Sequence, residues 1–365
     1  NANQPWYSVR KQLTTIEIGN GVTSIGAYSF IETSIQTIEI PESVTTIGSY
    51  SFKSSGITTI TLSDKIESLG TNVFESCTKL STVTWNTQYN TIPSYTFNGC
   101  EKLKQFEIKS TITTIDSYAF QSSGLTTIEI PSSVTKINEK AFKDCTSMTT
   151  AKYPRNETIT SSKDIFEGCI LLKTLTITGN GDMQNYQQDN QPWNSLKEIL
   201  ETVIFDTGVT SVGDNSFYGF KKITTITWES VTTIGTSAFN GCTTLPSVSI
   251  RNGVTEIKSN AFNGCTNLET VDYPVSIQTD SNDIFNGCTK LTTLNIIGKG
   301  TLKGYTSGNQ PWSNNKENIT KISIGNEVNG IGSYAFEGTS ITTISIPDSV
   351  TTLGDYVFSN CDKLL

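Results

Sequence analysis

One short sequence pattern returns along the whole chain and decides what it can fold into. Its clearest copy runs from Phe239 to Ala261, FNGCTTLPSVSIRNGVTEIKSNA. An aromatic residue opens the copy, Cys242 follows three residues later, and an alternating run is centred on Val248. Alternation with a period of two in a short β-branched run predicts a strand with one buried face. Because a single copy cannot bury that face, successive copies are expected to stack into a solenoid.

The aromatic residue that opens each copy recurs every 22 to 24 residues, apart from two longer gaps. The recurring residues are Phe30, Phe52, Phe74, Phe97, Phe120, Phe142, Phe166, Phe217, Phe239, Phe262, Phe285, Phe336 and Phe358. Each longer gap contains one more repeat, opened by Trp193 or Trp312 within the string NQPW, which also ends at Trp6. The sequence therefore predicts about 15 short repeats, with longer NQPW repeats near residues 1–29, 179–216 and 298–335.

Residues 1–365 are expected to form a single array. A repeat array needs no division into ordinary domains, because each repeat touches only its neighbours. The array begins at an NQPW motif and stops inside a repeat, so we expect it to be a fragment of a longer protein.

Composition excludes several classes of function. The formal net charge is -8 and no cluster of Lys and Arg is present, which argues against nucleic-acid binding. No apolar run approaches the roughly 18 residues needed for a transmembrane segment. The chain has no His, and so lacks the commonest general base and the commonest transition-metal ligand. We therefore assign no catalytic, cofactor-binding or metal-binding residues and do not expect an enzyme.

The fuller pattern is F-x-x-C-x-x-L-x-x-I-x-I-P-x-x-V-T-x-I-G-x-x-A-F. It is visible in FNGCTNLETVDYP, from Phe262 to Pro274, and in SITTISIPDSVTTLGDYVF, from Ser340 to Phe358. Over essentially the whole chain it resembles the BspA-like, Treponema-type class of leucine-rich repeats. Proteins of that family are surface or secreted proteins of bacteria and protozoan parasites, and several are associated with adhesion. The resemblance implies a cell-surface or secreted location.

The predicted fold is a leucine-rich-repeat solenoid, a right-handed coil with a parallel β-sheet on one side and little regular helix. The opening Phe and the Leu, Ile and Val positions should stack into one continuous core. Many repeats have a Gly four residues before the opening Phe, and Asp116 or Asn138 replaces it elsewhere. These glycines are Gly26, Gly48, Gly70, Gly213, Gly235, Gly332 and Gly354. Since Gly, Asn and Asp tolerate positive φ best, the pattern predicts a left-handed turn there.

All the cysteines share one position, three residues after an opening Phe. They are Cys77, Cys100, Cys145, Cys169, Cys242, Cys265, Cys288 and Cys361. Their spacing matches no zinc motif, and repetition at one core position favours buried free thiols. A disulfide between adjacent repeats, such as Cys242 with Cys265, is the alternative. Four repeats carry Thr33, Ser55, Ser123 or Thr339 instead and are one residue shorter before the strand, as expected if Cys fills space under a longer loop.

Acidic residues occupy the variable, solvent-facing position after several strand centres. Glu17 with Glu39, and Glu107 with Glu129, are expected on neighbouring strands, where like charges repel. Water and salt, nearby lysines such as Lys109, or a bound cation or cationic partner would offset that repulsion. These four residues are candidate partner-binding positions. The position before each centre is mostly Thr, a ladder explained most simply by strand preference and cross-strand packing.

Tyrosines form a second set of candidate partner-binding residues. Tyr28 with Tyr50, and Tyr95 with Tyr118, stand two residues before the opening Phe of adjacent repeats. Tyr334 and Tyr356 form a third such pair. Aromatic rows on an exposed edge can form hot spots for partner contact. The structural alternative is that the Tyr rings cover the flank of the core and leave their hydroxyls in water.

The leading hypothesis is a non-enzymatic adhesion or binding ectodomain that presents these rows to a protein or glycan partner. A structural spacer or surface-coat array without a ligand is the second hypothesis. A third is binding of ice or mineral by a hydroxyl lattice, suggested by strands such as Thr59 with Thr61. Sequons for N-glycosylation at Asn156 and Asn318 agree with a secreted location but arise readily by chance in a Thr-rich chain.

Overall fold

The computed structural model describes residues 4–155 and 160–365. The chain divides into two compact units, Asn1–Leu175 with Pro192–Ile199, and Thr176–Gln191 with Leu200–Leu365. Each unit is a parallel β-solenoid of stacked repeats, which confirms the predicted fold class. Helix in the described residues is confined to short 3-10 segments, Tyr7–Gln12, Asn194–Leu196 and Ser313–Asn318, each directly after the Trp of an NQPW motif. A single array over the whole chain stays a prediction, and the sequon at Asn156 lies outside the described residues.

The first set of strands contains the predicted strand centres. These strands are Thr59–Leu62, Thr82–Trp85, Thr127–Glu129, Thr150–Pro154, Thr174–Thr178, Thr202–Phe205, Thr225–Trp228, Ser247–Ser249, Thr270–Pro274, Thr293–Ile297 and Lys321–Ile324. Their registers align equivalent positions, so that Thr59 lies beside Thr82 and the buried Ile60 beside Val83. Within residues 4–155 and 160–365, no regular strand forms around the expected centres Ile16, Ile38, Phe106 and Ile344.

Most of the segments without a regular strand share an acidic residue. Three of the four segments carry Glu17, Glu39 or Glu107 directly after the centre. The strand that carries Glu129 does form, and there Lys152 lies opposite the carboxylate. The segment around Ile344 carries Ser instead, and we have no physical account of it.

A second set of parallel strands, which the sequence analysis did not predict, lies later in most repeats and forms four separate sheets in the described residues. Its strands are Ser24–Ile25, Thr46–Ile47, Ser68–Leu69, Thr91–Ile92, Thr114–Ile115, Lys136–Ile137, Thr160–Ser161, Gly181–Asp182, Val209–Val212, Thr233–Ile234, Glu256–Ile257, Gly300–Leu302, Val328–Ile331 and Thr352–Leu353. Most have only two residues, and the second is usually apolar, as Ile25 is, which aligns with Ile47. Two residues are too few to show a period of two.

The opening aromatic residues form the centre of the core in both units. In the first unit, Phe30 through Phe166 stack repeat on repeat with ring centroids 5.3 to 5.7 Å apart. In the second unit, Phe217 through Phe285 stack at 5.5 to 5.8 Å. These are ordinary distances for favourable offset aromatic pairs. Each repeat therefore stabilises the next through a large buried ring.

The prediction of a left-handed turn at the glycine position is wrong. None of Gly26, Gly48, Gly70, Gly213, Gly235, Gly332 and Gly354 has positive φ. Their small size serves close approach between repeats instead, because a Cβ on Gly48 would lie 2.5 Å from the backbone nitrogen of Ala27. The left-handed residues stand two before and two after the opening Phe, as Tyr50 (φ 61°) and Ser54 (φ 56°) do around Phe52.

The cysteines are free and buried, as predicted. Each thiol also donates a hydrogen bond to the carbonyl of the opening Phe one repeat earlier, for example Cys77 to Phe52 at 3.0 Å. The other seven thiols repeat this contact at 3.1 to 3.5 Å. In the Cys-free repeat of Phe30, the Thr33 hydroxyl donates to the Phe30 carbonyl within the same repeat at 2.9 Å. The position supplies a donor to a buried carbonyl as well as filling space.

Threonine hydroxyls link successive repeats along the edge of the first set of strands. The Thr126 hydroxyl donates to the Lys104 carbonyl at 3.2 Å, and the Thr149 hydroxyl donates to the Thr126 carbonyl at 3.3 Å. On the exposed row, the hydroxyl of Thr150 contacts that of Thr127 at 3.0 Å. These bonds support the structural explanation for part of the Thr content.

Candidate binding surfaces

The tyrosine edge comprises Tyr28, Tyr50, Tyr95 and Tyr118, all in the first compact unit. The structure brings Tyr28 and Tyr50 together with ring centroids 4.8 Å apart and an interplanar angle of 1°. Tyr95 and Tyr118 stack in the same way at 4.9 Å and 9°. All four side chains are half-buried, so part of each ring stays open to solvent. Burial, followed by the charge of Tyr118, raises the pKa of the Tyr95 hydroxyl, which is therefore neutral at physiological pH.

Each of these tyrosines adopts a backbone conformation that disfavours it. Their φ values lie between 58° and 62°, in the left-handed region. A bulky residue there costs on the order of 1 kcal/mol. Asn72, in the repeat between the two pairs, has the same conformation, with φ 59°, and Asn tolerates it better. Stacking of a tyrosine pair contributes about 0.5–1.5 kcal/mol and offsets part of the strain.

A polar notch separates the two tyrosine pairs. It contains Asn72, which is 8% exposed and donates a hydrogen bond from Nδ2 to Glu75 Oε2 at 2.8 Å. Glu75 also pairs with Lys53 at 2.8 Å, and the Lys53 ammonium lies 5.4 Å from the Tyr50 ring centroid. With repeats about 4.8 Å apart, Tyr50 and Tyr95 stand about 10 Å from each other across the notch. The tyrosine edge thus alternates aromatic surface with a fixed ion pair.

Two of the predicted acidic residues are paired with lysines. Glu107 contacts Lys109 at 2.5 Å, and Glu129 contacts Lys152, its cross-strand neighbour, at 3.1 Å. The backbone hydrogen bond from Thr126 to Lys104 places the two segments side by side. The repulsion expected between these carboxylates is therefore offset by lysines of the chain itself. Pairs this exposed contribute about 0–1 kcal/mol each.

The other two acidic residues are exposed and lie on different depressions. Glu39 lines a depression of about 690 Å³ together with Glu42 and Asp64, and Glu17 lines one of about 390 Å³. Within the described part of the chain, neither Glu17 nor Glu39 forms an ion pair with a basic side chain. Both stay predicted binding positions.

Sequence reasoning did not single out Lys53, Glu75 or Lys152. Lys53 and Glu75 occupy the residue after the opening Phe in consecutive repeats, so opposite charges at the same repeat position were the available signal. The variable strand position gave the same signal for Glu129 and Lys152. Opposite charges at equivalent positions of neighbouring repeats therefore indicate ion pairs between those repeats.

In residues 4–155 and 160–365, no helix is long and apolar enough to cross a bilayer. Across the same ranges, no three or more His, Cys, Asp or Glu residues are grouped so that they could hold a metal ion.

Comparison with known proteins gives one family and several similar structures. The family model described as "BspA type Leucine rich repeat region (6 copies)" matches residues 6–123, 79–190, 195–310 and 232–365. A leucine-rich repeat protein from Bacteroides ovatus shares 23% identity over 86% of this chain and 78% of its own, with a TM-score of 0.50. This likeness supports the solenoid fold alone.

Two further solved structures are similar over much of the chain. A leucine rich cell surface protein from Faecalibacterium prausnitzii has 21% identity, covering 79% of this chain and 87% of its own, with a TM-score of 0.32. A leucine rich repeat protein from T. pallidum has 16% identity, covering 72% of this chain and 89% of its own, with a TM-score of 0.29. No curated protein sequence is significantly similar to the chain.

Proposed function

Because the chain belongs to the BspA-type leucine-rich repeat family, we propose that it is a non-enzymatic binding module of a cell-surface or secreted protein, and that its tyrosine edge contacts a protein or glycan partner. One observation carries the proposal: two pairs of half-exposed tyrosines stack at positive φ, in a conformation that favours Asn. A Tyr at a backbone position that disfavours it indicates that its side chain has a use.

The tyrosine edge has the chemistry of a contact surface. A Tyr side chain supplies a large, stiff apolar face and a polar hydroxyl at little cost in conformational entropy. The C–H groups of a sugar, or an apolar or Arg side chain, pack on such a face. Between the pairs, Lys53, Glu75 and Asn72 offer donors and acceptors already fixed by their own contacts. Preorganised polar groups lower the entropy cost of binding.

The location rests on the family, whose known members are surface or secreted proteins. Absence of His from the chain supports a binding role over catalysis, since the commonest general base is missing.

The test screens the chain for binding to an array of glycans and extracellular-matrix proteins. The affinity for each ligand that binds is then measured again with a Tyr50→Asn/Tyr95→Asn variant. Asn is native at the equivalent position in Asn72, so the substitution keeps the left-handed backbone. Tyr334→Asn/Tyr356→Asn is the matched control, because that pair in the second compact unit has the same stacking and left-handed backbone but does not flank the polar notch of Lys53 and Glu75. We expect at least a tenfold loss of affinity in the first variant and a smaller effect in the control. Saturable binding that neither variant changes would exclude the tyrosine edge, and no saturable binding would favour a spacer.

A further inference from the structure

A groove crosses the first compact unit where two successive repeats are short. The repeats of Phe30 and Phe52 have Thr33 and Ser55 in place of Cys and lack one residue in the loop that follows. The next repeat keeps Cys77 and the longer loop, and Ser76, Thr78 and Lys79 of that loop line one side of the groove, its first wall. Lys11, in the 3-10 segment Tyr7–Gln12, lines the opposite side, the second wall. The space between them is about 610 Å³, large enough for one or two sugar residues.

A lysine stands on each wall of this groove. Lys11 is near the end of the segment Tyr7–Gln12, and its carbonyl accepts a hydrogen bond from the Ser34 hydroxyl at 2.6 Å, which fixes that wall to the floor. Lys79 follows Cys77 in the longer loop and is exposed, as Lys11 is. The two residues are three repeats apart, about 14 Å at the repeat spacing, and both side chains are long enough to reach toward the middle.

The groove is positive in a chain whose net charge is -8. Among the residues that the structure describes, neither Lys11 nor Lys79 forms an ion pair. The acidic residue on the lining, Glu32, is neutralised by Arg10, whose guanidinium contacts its carboxylate at 2.8 Å. Two unpaired ammonium groups therefore face the same space. Such a cleft attracts anions and loses that attraction as salt increases.

Hydroxyl groups between the lysines suit a ligand that carries hydroxyl groups as well as a negative charge. Ser54, Ser76 and Thr78 line the groove, and no hydrogen bond engages their side-chain oxygens within the described residues. Each hydroxyl both donates and accepts, which matches the hydroxyls of a sugar. We propose that this groove binds a saccharide that carries a sulfate or carboxylate group, with the oxyanion held by Lys11 and Lys79. The site uses different residues from the tyrosine edge and does not depend on the proposed function.

The chain contains a second groove of the same origin that serves as a control. It lies in the second compact unit, has a volume of about 540 Å³, and forms where Thr339 replaces Cys after Phe336. Lys316 and Lys363 line it, but so do Glu317 and Asp362. Asp362 directly follows Cys361, as Thr78 directly follows Cys77. The two grooves thus form at equivalent repeat positions, across two short repeats in the first and one in the second, and they differ in charge.

Calorimetric titration at low salt compares four probes on the full chain: N-acetylglucosamine 6-sulfate, glucuronic acid, neutral N-acetylglucosamine and inorganic sulfate. We expect one acidic sugar or both to bind saturably, at least tenfold more tightly than the neutral sugar and inorganic sulfate. Lys11→Gln/Lys79→Gln should weaken that binding at least tenfold. Thr78→Asp, which copies the charge of the second groove, should weaken it similarly. Lys316→Gln/Lys363→Gln should leave it unchanged.

If the sulfated sugar binds more tightly, the site prefers sulfate, and if glucuronic acid binds more tightly, it prefers carboxylate. Both results support the proposed site. The proposal is overturned if neither acidic sugar binds, or if inorganic sulfate binds as tightly as the sugar. It also fails if the variants of the second groove weaken binding as much as those of the first. All the substituted side chains line surface grooves, so circular dichroism should show an unchanged fold.

Discussion

The indole nitrogen of Trp312 donates a hydrogen bond to the backbone carbonyl of Ala335 at 3.0 Å. Ala335 directly precedes an opening Phe, as Val357 does. In an ordinary repeat the carbonyl at this position accepts a hydrogen bond from the backbone N–H of the opening Phe one repeat earlier, as when Phe336 donates to Val357 at 2.9 Å. Trp312 also stacks on Phe336 with ring centroids 6.2 Å apart. In the longer NQPW repeat the indole N–H of the tryptophan therefore donates the hydrogen bond that the backbone N–H of Phe donates in an ordinary repeat. This explains why Trp, rather than Phe, opens these repeats.

Trp312→Phe should destabilise the second compact unit by about 1–3 kcal/mol, because the Ala335 carbonyl loses its donor in a buried site. The control is Trp85→Phe, at a tryptophan that is 2% exposed and whose indole nitrogen has no hydrogen-bond partner in the described residues. That variant removes an unpaired donor and should cost less. Denaturant unfolding measures both, and equal losses would show that ring volume alone decides.

The sequence predicted the parts of this fold that repeat with a clear period. Alternation around Val248 located eleven of the fifteen predicted strand centres, and the position of Cys242 located the buried thiols. Gly48 was assigned the wrong role, because composition does not distinguish a residue that needs positive φ from one that needs close backbone approach. The left-handed tyrosines were missed for the same reason. Opposite charges at one repeat position indicated the contact of Lys53 with Glu75. The approach of Lys53 to the Tyr50 ring depends on side-chain directions, which spacing along the chain does not give.

The buried thiols should be reduced and unreactive in the native protein. Burial raises the pKa of Cys77 to about 11, so at pH 8 only about one thiol in a thousand is the reactive thiolate. Because all eight thiols are buried, iodoacetamide should label none of the cysteines in the folded chain within minutes and all of them after denaturation. Rapid native labelling of most thiols would contradict the buried ladder.

Phe262→Ala should cost about 3–5 kcal/mol, the usual loss for a fully buried aromatic side chain. Phe262 stacks on Phe239 at 5.5 Å and on Phe285 at 5.8 Å, so the damage should centre on those repeats. Hydrogen exchange followed by mass spectrometry locates it. An equal increase in exchange along the entire second compact unit would be inconsistent with stabilisation through nearest neighbours.

Glu107→Gln/Glu129→Gln should change stability by less than about 1 kcal/mol, because exposed ion pairs contribute little. Lys109 and Lys152 already offset these carboxylates, so the variant should also keep the salt dependence of partner binding. Glu17→Gln/Glu39→Gln is the comparison, since neither residue has a lysine partner in the described chain. Lost binding in the first variant alone would make Glu107 and Glu129 the acidic contact.

Glu337 makes the second compact unit sensitive to acid. It is 6% exposed, and its carboxylate accepts hydrogen bonds from the Ser307 hydroxyl at 2.8 Å and the Gly308 backbone N–H at 3.0 Å. Burial alone would raise the pKa of Glu337, but these bonds outweigh it and hold the pKa below its usual value of 4.5. A carboxyl whose pKa is lower in the folded state stabilises that state above the unfolded pKa, and the stabilisation is lost as pH falls toward the folded pKa. The loop at Ser307 should therefore loosen below about pH 4.5.

Unfolding free energies of the native chain and of Glu337→Gln between pH 7 and pH 3 measure this contribution. The variant should be less stable at pH 7, because an amide accepts fewer of these bonds. The two curves should converge as the native carboxylate becomes protonated. Glu317→Gln, an exposed neighbour in the 3-10 segment Ser313–Asn318, should run parallel to the native curve. A constant difference between the native chain and Glu337→Gln over the whole range would show that the carboxylate stabilises the loop by its shape and not by its charge.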